Sequence, residues 1–193
     1  MTPASTITII TGAKEEGKST LIKRLLLDFH KAQFALRGLF SPAIIEDRKK
    51  KGISVEDIST GKRMRLAIHE PGWDPEMTDR EWKFNKDALR WGNEVLKQIE
   101  DIYDVLIIDE IGYLEFEKKQ GWESVFSVIS DTHYLRAYIV VRTSLIGFAE
   151  EKWPDARIIH LSEIQKDEEW IQKEIRAIRF LKEARKDQCQ KQQ

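Results

Sequence analysis

The feature that most constrains this chain is a glycine-rich loop near its start. Residues 12–19 read G-x-x-x-x-G-K-S. The β-branched run from Thr6 to Thr11 comes before the loop, and such a composition is typical of a buried strand. After the loop, apolar residues recur at the three- and four-residue spacing of a helix with one buried face. They are Leu21, Ile22, Leu25, Leu26 and Phe29. The sequence therefore predicts a strand, a tight loop and a helix in direct succession.

This succession predicts that the loop binds phosphate. Loop N–H groups and the positive end of a helix converge on an anion there, and the bound ligand is expected to be a nucleoside triphosphate. Lys18 would reach the phosphate oxygens, and the Ser19 hydroxyl would ligate Mg²⁺. A glycine turn with Lys18 as a solvated charge fits this context less well. The predicted binding residues are Gly12, Ala13, Lys14, Glu15, Glu16, Gly17, Lys18, Ser19 and Thr20.

Two carboxylates, Glu15 and Glu16, lie inside a loop that holds anions. We expect both side chains to point outward into water, with Lys14 offsetting part of their charge.

Length and charge limit the domain count and the partners. The 193 residues suffice for one domain with a full core, which we place at residues 1–186 ahead of a polar tail at 187–193. The net charge of −1 argues against nucleic acid held by bulk electrostatics. We expect a monomer, with a protein partner left open.

Cysteine usage and hydropathy indicate the compartment. The single cysteine, Cys189, excludes a disulfide framework and a thiolate metal site, and the four histidines lack the spacing of zinc ligands. Neither a signal peptide nor a run long enough to cross a bilayer is visible. We therefore expect a cytoplasmic protein without a membrane partner.

Strand and helix patterns alternate along most of the chain, which favours an α/β fold with a mainly parallel sheet and ligands at the carboxyl ends of its strands. Gly38 is expected to cap the end of the first helix. Continuous apolar runs predict buried strands at residues 105–108, 137–141 and 156–161. Amphipathic patterns predict further helices at about residues 85–102, 120–131 and 163–186.

Residues 39–68 have a different texture, with short strand-like pieces between turn residues. We expect an antiparallel insertion there, and a solvated turn at Arg48 to Lys51. Trp73, Trp82 and Trp91 are expected to anchor the core or loops rather than stack on a nucleobase.

Two carboxylates follow the strand predicted at residues 105–108. Asp109 lies where a Walker B carboxylate would hold Mg²⁺ opposite Ser19. Glu110 comes next, and we expect it to orient and polarise the attacking water, although a surface or ion-pair role is the alternative. Hydrolysis is therefore the leading reaction.

The end of the next strand supplies a further candidate. Arg142, Thr143 and Ser144 lie where a polar side chain would contact the γ-phosphate or the water. Thr143 is the preferred residue, although a helix N-cap uses the same residue types. The predicted catalytic residues are thus Lys18, Glu110 and Thr143, and the predicted metal ligands are Ser19 and Asp109.

Beyond the loop, four segments resemble the small cancer-related nucleoside-triphosphatase family. They are residues 37–42, 52–61, 84–93 and 107–116, the last reading IIDEIGYLEF. The resemblance implies a three-layer, RecA-like P-loop fold and slow, Mg²⁺-dependent hydrolysis of ATP, GTP and other nucleoside triphosphates with little base preference. It also makes Glu115 a candidate polar member of the site, with a structural hydrogen bond as the equal alternative.

Two other functions stay open at this point. One is a nucleotide or small-molecule kinase, with an acceptor pocket supplied by residues 39–79. The other is a nucleotide-dependent switch that acts on a protein partner. No arginine finger can be assigned from spacing, so intrinsic turnover should be low.

Overall fold

One nine-stranded sheet organises the described part of the chain, which in this computed structural model comprises residues 6–70, 82–99, 102–131, 134–164 and 168–190. The strands at residues 7–12, 105–111 and 136–142 are rich in β-branched residues, a composition that favours buried strands. The strands are β1 (Ile7–Gly12), β2 (Leu36–Phe40), β3 (Ala43–Glu46), β4 (Lys49–Asp57), β5 (Arg63–His69), β6 (Trp82–Phe84), β7 (Val105–Ile111), β8 (Arg136–Arg142) and β9 (Arg157–His160).

Seven α-helices and one 3₁₀ turn are described beside the sheet. The 3₁₀ turn, Thr143–Leu145, directly follows β8. The helices are α1 (Lys18–Lys31), α2 (Lys86–Lys97), α3 (Tyr113–Phe116), α4 (Ser124–Asp131), α5 (Ile146–Lys152), α6 (Leu161–Ile164) and α7 (Glu168–Gln190).

The sheet has a parallel half and an antiparallel half. Its strand order is β6-β5-β4-β2-β7-β8-β1-β9, with β3 paired to β4. The pairs β2/β7, β7/β8, β8/β1 and β1/β9 are parallel, so the carboxyl ends of these five strands lie along one edge. Strands β3 to β6 form an antiparallel extension joined to β2 through β4. The α/β fold with a parallel centre is therefore confirmed.

Two cores cover the two faces of the sheet. On one face α1 and α7 pack over strand residues such as Ile10 and Ile107. On the other face α2, α4 and α5 pack over Ile9 and Ile108. Neighbouring strand residues belong to different cores because side chains alternate across a sheet. The result is three layers, with β7 buried on both faces as its continuous apolar run predicts.

Gly38 does not cap the first helix, so that prediction is wrong. Helix α1 ends at Lys31, and Gly38 lies inside β2 with a φ of +119°. A Cβ at this position would lie 1.9 Å from the carbonyl oxygen of Ile107. The glycine is needed because β2 passes too close to β7 for any side chain, a tertiary contact that the local pattern does not report.

Several element boundaries also differ from the predictions. Leu39 and Phe40 belong to β2, so the antiparallel extension begins at β3 and also includes β6. Helix α4 begins at Ser124 rather than Gln120, because Gly121 has a φ of +73° that a helix cannot contain. The predicted helix 85–102 ends at Lys97 in α2, and the predicted helix 163–186 corresponds to α6 and α7. Trp73 lies outside the described residues.

Candidate nucleotide site

The glycine-rich loop joins β1 to α1, as predicted. Gly17 adopts a φ of +110° directly before the helix, a conformation that favours glycine. The Lys18 side chain is buried, and its Nζ donates to the carbonyl oxygens of Gly12 at 2.9 Å and Ala13 at 2.7 Å. The ammonium group therefore lies within the loop, where an incoming phosphate would compete with these carbonyls.

The two glutamates of the loop behave differently from each other. Glu15 is exposed, as predicted, with a φ of +63°. Glu16 is partly buried, and its Oε2 accepts a hydrogen bond from the Ala13 N–H at 2.6 Å. The expectation that Glu16 points into water is wrong, because the loop concentrates N–H donors and this carboxylate is an anion within reach of them.

The second half of the site lies at the end of β7. Asp109 is almost fully buried, with its Oδ1 3.5 Å from the Ser19 Oγ and its Oδ2 3.4 Å from the backbone nitrogen of Ser41. Burial, together with the neighbouring charge of Glu110, raises the pKa of Asp109 to about 7. The fold thus brings the predicted metal ligands Ser19 and Asp109 together although 90 residues separate them.

Glu110 follows Asp109 in β7 and is held by an arginine. Its Oε1 accepts a hydrogen bond from the Arg142 Nε at 2.5 Å, and both side chains are less than a third exposed. Arg142 is the last residue of β8, the strand between β7 and β1. The guanidinium therefore lies beside the carboxylate predicted to polarise water.

Thr143, the predicted contact for the γ-phosphate, lies on the other side of β8, beside β1. The Thr11 hydroxyl, fully buried at the end of β1, donates to the Thr143 Oγ1 at 3.5 Å. Thr143 begins the 3₁₀ turn and is exposed, as is Thr20 in the first turn of α1. This position places the Thr143 hydroxyl beside the entrance to the glycine-rich loop.

Lys50 belongs to the site, and the sequence reasoning missed it. Arg48 lies in an exposed turn as expected, but residues 49–51 begin β4 rather than extending that turn. Lys50 is half buried there, with its Nζ 4.9 Å from the centre of the Trp82 ring. Burial lowers the pKa of Lys50, while the nearby Glu110 and Glu15 raise it. Strand alternation, which turns every second residue inward, was the available signal, but the charge run concealed it.

Glu115 makes structural hydrogen bonds, one of the two alternatives that the sequence left open. It is buried, its Oε2 accepts from the Gly112 N–H at 2.8 Å and its Oε1 accepts from the Trp122 N–H at 3.0 Å. Burial raises the pKa of Glu115. Both oxygens therefore hold the chain after β7 in place. Trp82 and Trp91 likewise pack in the protein interior.

The donor set fits a hard divalent cation. Mg²⁺ prefers oxygen ligands, keeps several waters and usually takes only one or two ligands from the protein beside the substrate phosphates. Ser19 Oγ and the buried Asp109 carboxylate supply such oxygens at one point, and the hydrogen bonds that Asp109 accepts are long. A cation beside a carboxylate with a raised pKa would favour its ionised form.

Within the described residues, no helix has the length and apolar character needed to cross a bilayer.

Comparison with known proteins relates most of the chain to one family. The NTPase family model matches residues 7–175, which include both the loop and the two carboxylates at the end of β7. Curated relatives include the nucleoside-triphosphatase THEP1 of Methanothermobacter thermautotrophicus, 29% identical over 70% of this chain and 76% of that protein. The nucleoside-triphosphatase THEP1 of Pyrococcus abyssi is 27% identical over 67% of this chain and 72% of that protein.

A solved structure agrees with the fold. The solution structure of a human cancer-related nucleoside triphosphatase superposes with a TM-score of 0.62 and 18% identity, covering 81% of this chain and 88% of that one. The family predicted from the sequence motifs is thereby confirmed.

Proposed function

This chain belongs to the NTPase family, and from that premise we propose that it hydrolyses nucleoside triphosphates to the diphosphate and inorganic phosphate with Mg²⁺. The observation that carries the proposal is the meeting of the two half-sites. The Oγ of Ser19, from the glycine-rich loop, lies 3.5 Å from the Oδ1 of Asp109, at the end of β7. Glu110 is the next residue of that strand. Loop, metal ligands and a carboxylate for water activation are the parts that phosphoryl transfer to water needs.

The loop residues Gly12 to Thr20 would bind the phosphates. The N–H groups of the loop and the first turn of α1 provide donors, and Lys18 would exchange the carbonyls of Gly12 and Ala13 for phosphate oxygens. A phosphate would also displace the Glu16 carboxylate from the Ala13 N–H, because both anions need the same donor. Ser19 and Asp109 would hold Mg²⁺, which would neutralise charge that develops on the phosphate oxygens.

Glu110 would take the proton from the attacking water. Its ion pair with Arg142 keeps the carboxylate occupied before a nucleotide binds, and this supports slow turnover. A nucleotide phosphate can attract the guanidinium, which would free Glu110 and place a positive charge beside the transferred group. Arg142 would then act as an arginine finger supplied by the chain itself. Thr143 would hold the phosphate or the water from the side of β1.

We also propose broad base specificity, a cytoplasmic location and a monomeric state. The residues proposed to carry the chemistry would contact phosphate and metal rather than a base, which supports use of ATP, GTP and other triphosphates alike.

A phosphate-release assay tests the proposal. Wild-type protein is incubated with ATP, GTP, CTP and UTP in turn, with Mg²⁺ and with a chelator. We expect release from all four at rates within about tenfold of one another, and loss of release with the chelator. Absence of release from every triphosphate in the presence of Mg²⁺ would overturn the proposal.

A pair of arginine variants tests the role of Arg142. Arg142→Ala is expected to lower kcat by on the order of 10²-fold, because the loss of positive charge outweighs the freeing of Glu110. Arg142→Lys should recover part of that loss, since the charge is kept and the planar fork is not. An Arg142→Ala enzyme faster than wild type would show that the ion pair only inhibits.

A further inference from the structure

A cavity of about 130 Å³ adjoins the proposed metal ligands. Its walls are mostly apolar and come from four elements of the antiparallel half and its neighbours: Ile53 of β4, Leu66 of β5, Phe84 of β6 and Leu89 of α2, together with Trp122. Leu66 and Trp122 are almost fully buried. Hydrolysis needs room for one water molecule, and an apolar chamber of this kind is not required for it.

The position of the cavity is set by the strand order. The glycine-rich loop follows β1, which lies on one side of β7, whereas β2, β4, β5 and β6 lie on the other side. Ser19 and Asp109 line the cavity at its polar end. A phosphoryl group held at these residues would therefore lie between the nucleotide loop and the cavity, which is the arrangement that transfer to a second molecule requires.

Charged side chains gather at the same polar end. Glu110 lines the cavity together with its partner Arg142 and with Lys50 from β4. A carboxylate flanked by two cations can accept a proton from a hydroxyl group while the cations stabilise the phosphoryl group.

Two residues that line the cavity each carry a buried polar group with no hydrogen-bond partner among the described residues. These groups are the indole N–H of Trp122, a residue only 3% exposed, and the Ser41 hydroxyl. Buried donors are nearly always paired in folded proteins, so an unpaired donor on a cavity-lining residue is a candidate partner for a bound ligand. The ligand should then carry a hydrogen-bond acceptor as well as apolar surface.

We propose that this cavity is a phosphoryl-acceptor pocket for a small heteroaromatic alcohol, an inference that rests on the nucleotide site proposed above. The ring would lie among Leu66, Phe84 and Trp122, and a ring nitrogen would accept the Trp122 N–H. The hydroxyl would reach Glu110. Its oxygen attacks the γ-phosphorus and forms the new P–O bond, the bond from the γ-phosphorus to the bridging oxygen breaks, and the electron pair leaves on the β-phosphate. Glu110 takes the hydroxyl proton.

A matched pair of probes tests the pocket. The protein is incubated with ATP, Mg²⁺ and saturating 3-pyridinemethanol, or with 3-methylpyridine, which has the same ring without the hydroxyl. Phosphorus NMR measures the phosphate ester and inorganic phosphate separately, and calorimetry measures binding of each probe. We expect both probes to bind and only the alcohol to yield an ester.

Variants locate the acceptor. Leu89→Phe, which fills the cavity, should lower the ratio of ester to phosphate at least tenfold and weaken binding of both probes. Leu27→Phe is the matched control, since Leu27 is exposed on α1, and it should change neither. Trp122→Phe keeps an aromatic ring but removes the N–H, and should raise the KM for the alcohol about tenfold.

The outcomes separate the two proposals. Normal phosphate release with no ester at saturating 3-pyridinemethanol overturns the acceptor pocket and leaves hydrolysis intact. Binding that is equal in wild type and Leu89→Phe overturns it as well. Absence of phosphate release from every triphosphate overturns the nucleotide site itself, and calorimetry then still decides whether the cavity binds the heteroaromatic ring.

Discussion

The parallel and antiparallel halves of the sheet contribute to the site in different ways. The parallel half supplies Lys18, Ser19, Asp109 and Glu110, which lie in two short segments next to the strands that position them. The antiparallel half supplies Lys50 and part of the apolar wall, in single residues spread over β4, β5 and β6. The residues proposed to bind phosphate lie in one contiguous loop, so the sequence alone predicts them. The cavity forms where distant strands pair, and the local sequence pattern does not predict that pairing.

The largest effect is expected in the parallel half. Lys18→Ala should lower kcat/KM for ATP by on the order of 10³-fold, because it removes a buried positive charge from the phosphate-binding loop. The measurement is steady-state phosphate release. Lys23→Ala, an exposed lysine of the same helix, serves as the control and should stay within about twofold of wild type. Comparable losses in both variants would contradict the assignment of Lys18.

The next largest effect is expected in β2, the parallel strand to which the antiparallel half is joined. Gly38→Ala should lower the free energy of unfolding by about 3 kcal/mol or more, because its Cβ would clash with the Ile107 carbonyl oxygen at a positive φ. Gly61 also has a positive φ, but no atom lies within 4 Å of a Cβ placed there. Gly61→Ala should therefore lower the free energy of unfolding by only about 1 kcal/mol. Urea denaturation measures the free energy of unfolding of both variants. Equal losses would mean that the positive φ, and not the clash with Ile107, sets the cost.

A smaller effect tests the charge that the antiparallel half contributes. Lys50→Met should lower kcat/KM about five- to tenfold, since one half-buried cation near Glu110 is lost and the aliphatic length is kept. Lys49→Met is a close control because Lys49 is the preceding residue of β4 and is exposed. Equal activity of the two variants would show that Lys50 does not act in the site. The antiparallel half would then contribute no charge to catalysis.

The smallest effect concerns the support of the site by Glu115. Burial raises the pKa of Glu115 in the folded state, so the unfolded chain releases this proton at lower pH than the folded protein does. The stability of wild type relative to Glu115→Gln should therefore be greatest at acidic pH and should decline as pH rises through the raised pKa. Urea titrations of both proteins between pH 4 and 8 measure the difference. A difference that grows with pH would contradict the burial of this carboxyl.

Much of the fold was accessible from the sequence because its signals are local. The run Val105 to Ile108 predicted a strand buried on both faces, and the strand, loop and helix around Gly12 predicted the β1 to α1 connection; both are confirmed. The prediction for Gly38 is wrong because the glycine is required by a backbone carbonyl of β7, which lies almost 70 residues further along the chain. Glu16 was misread because a free N–H in the loop attracts it more than water does.

The site was less predictable from the sequence than the fold. The pairing of Ser19 with Asp109 followed from a known relation between two motifs, whereas the roles assigned to Glu110 and Thr143 stay predictions. The ion pair between Glu110 and Arg142 could not be read from spacing, because only the adjacency of β7 and β8 brings these residues together. Lys50 was concealed within a charge run that is otherwise exposed.

The most direct test of the hydrolytic site is single-turnover phosphate release from ATP with Mg²⁺ by wild type and Glu110→Gln, with nucleotide affinity measured separately. Glu123→Gln, an exposed glutamate, is the control. The account predicts that Glu110→Gln binds ATP within about threefold of wild type and releases phosphate on the order of 10²- to 10⁴-fold more slowly, because the amide cannot accept the proton of the water. Equal rates in the two proteins would contradict it.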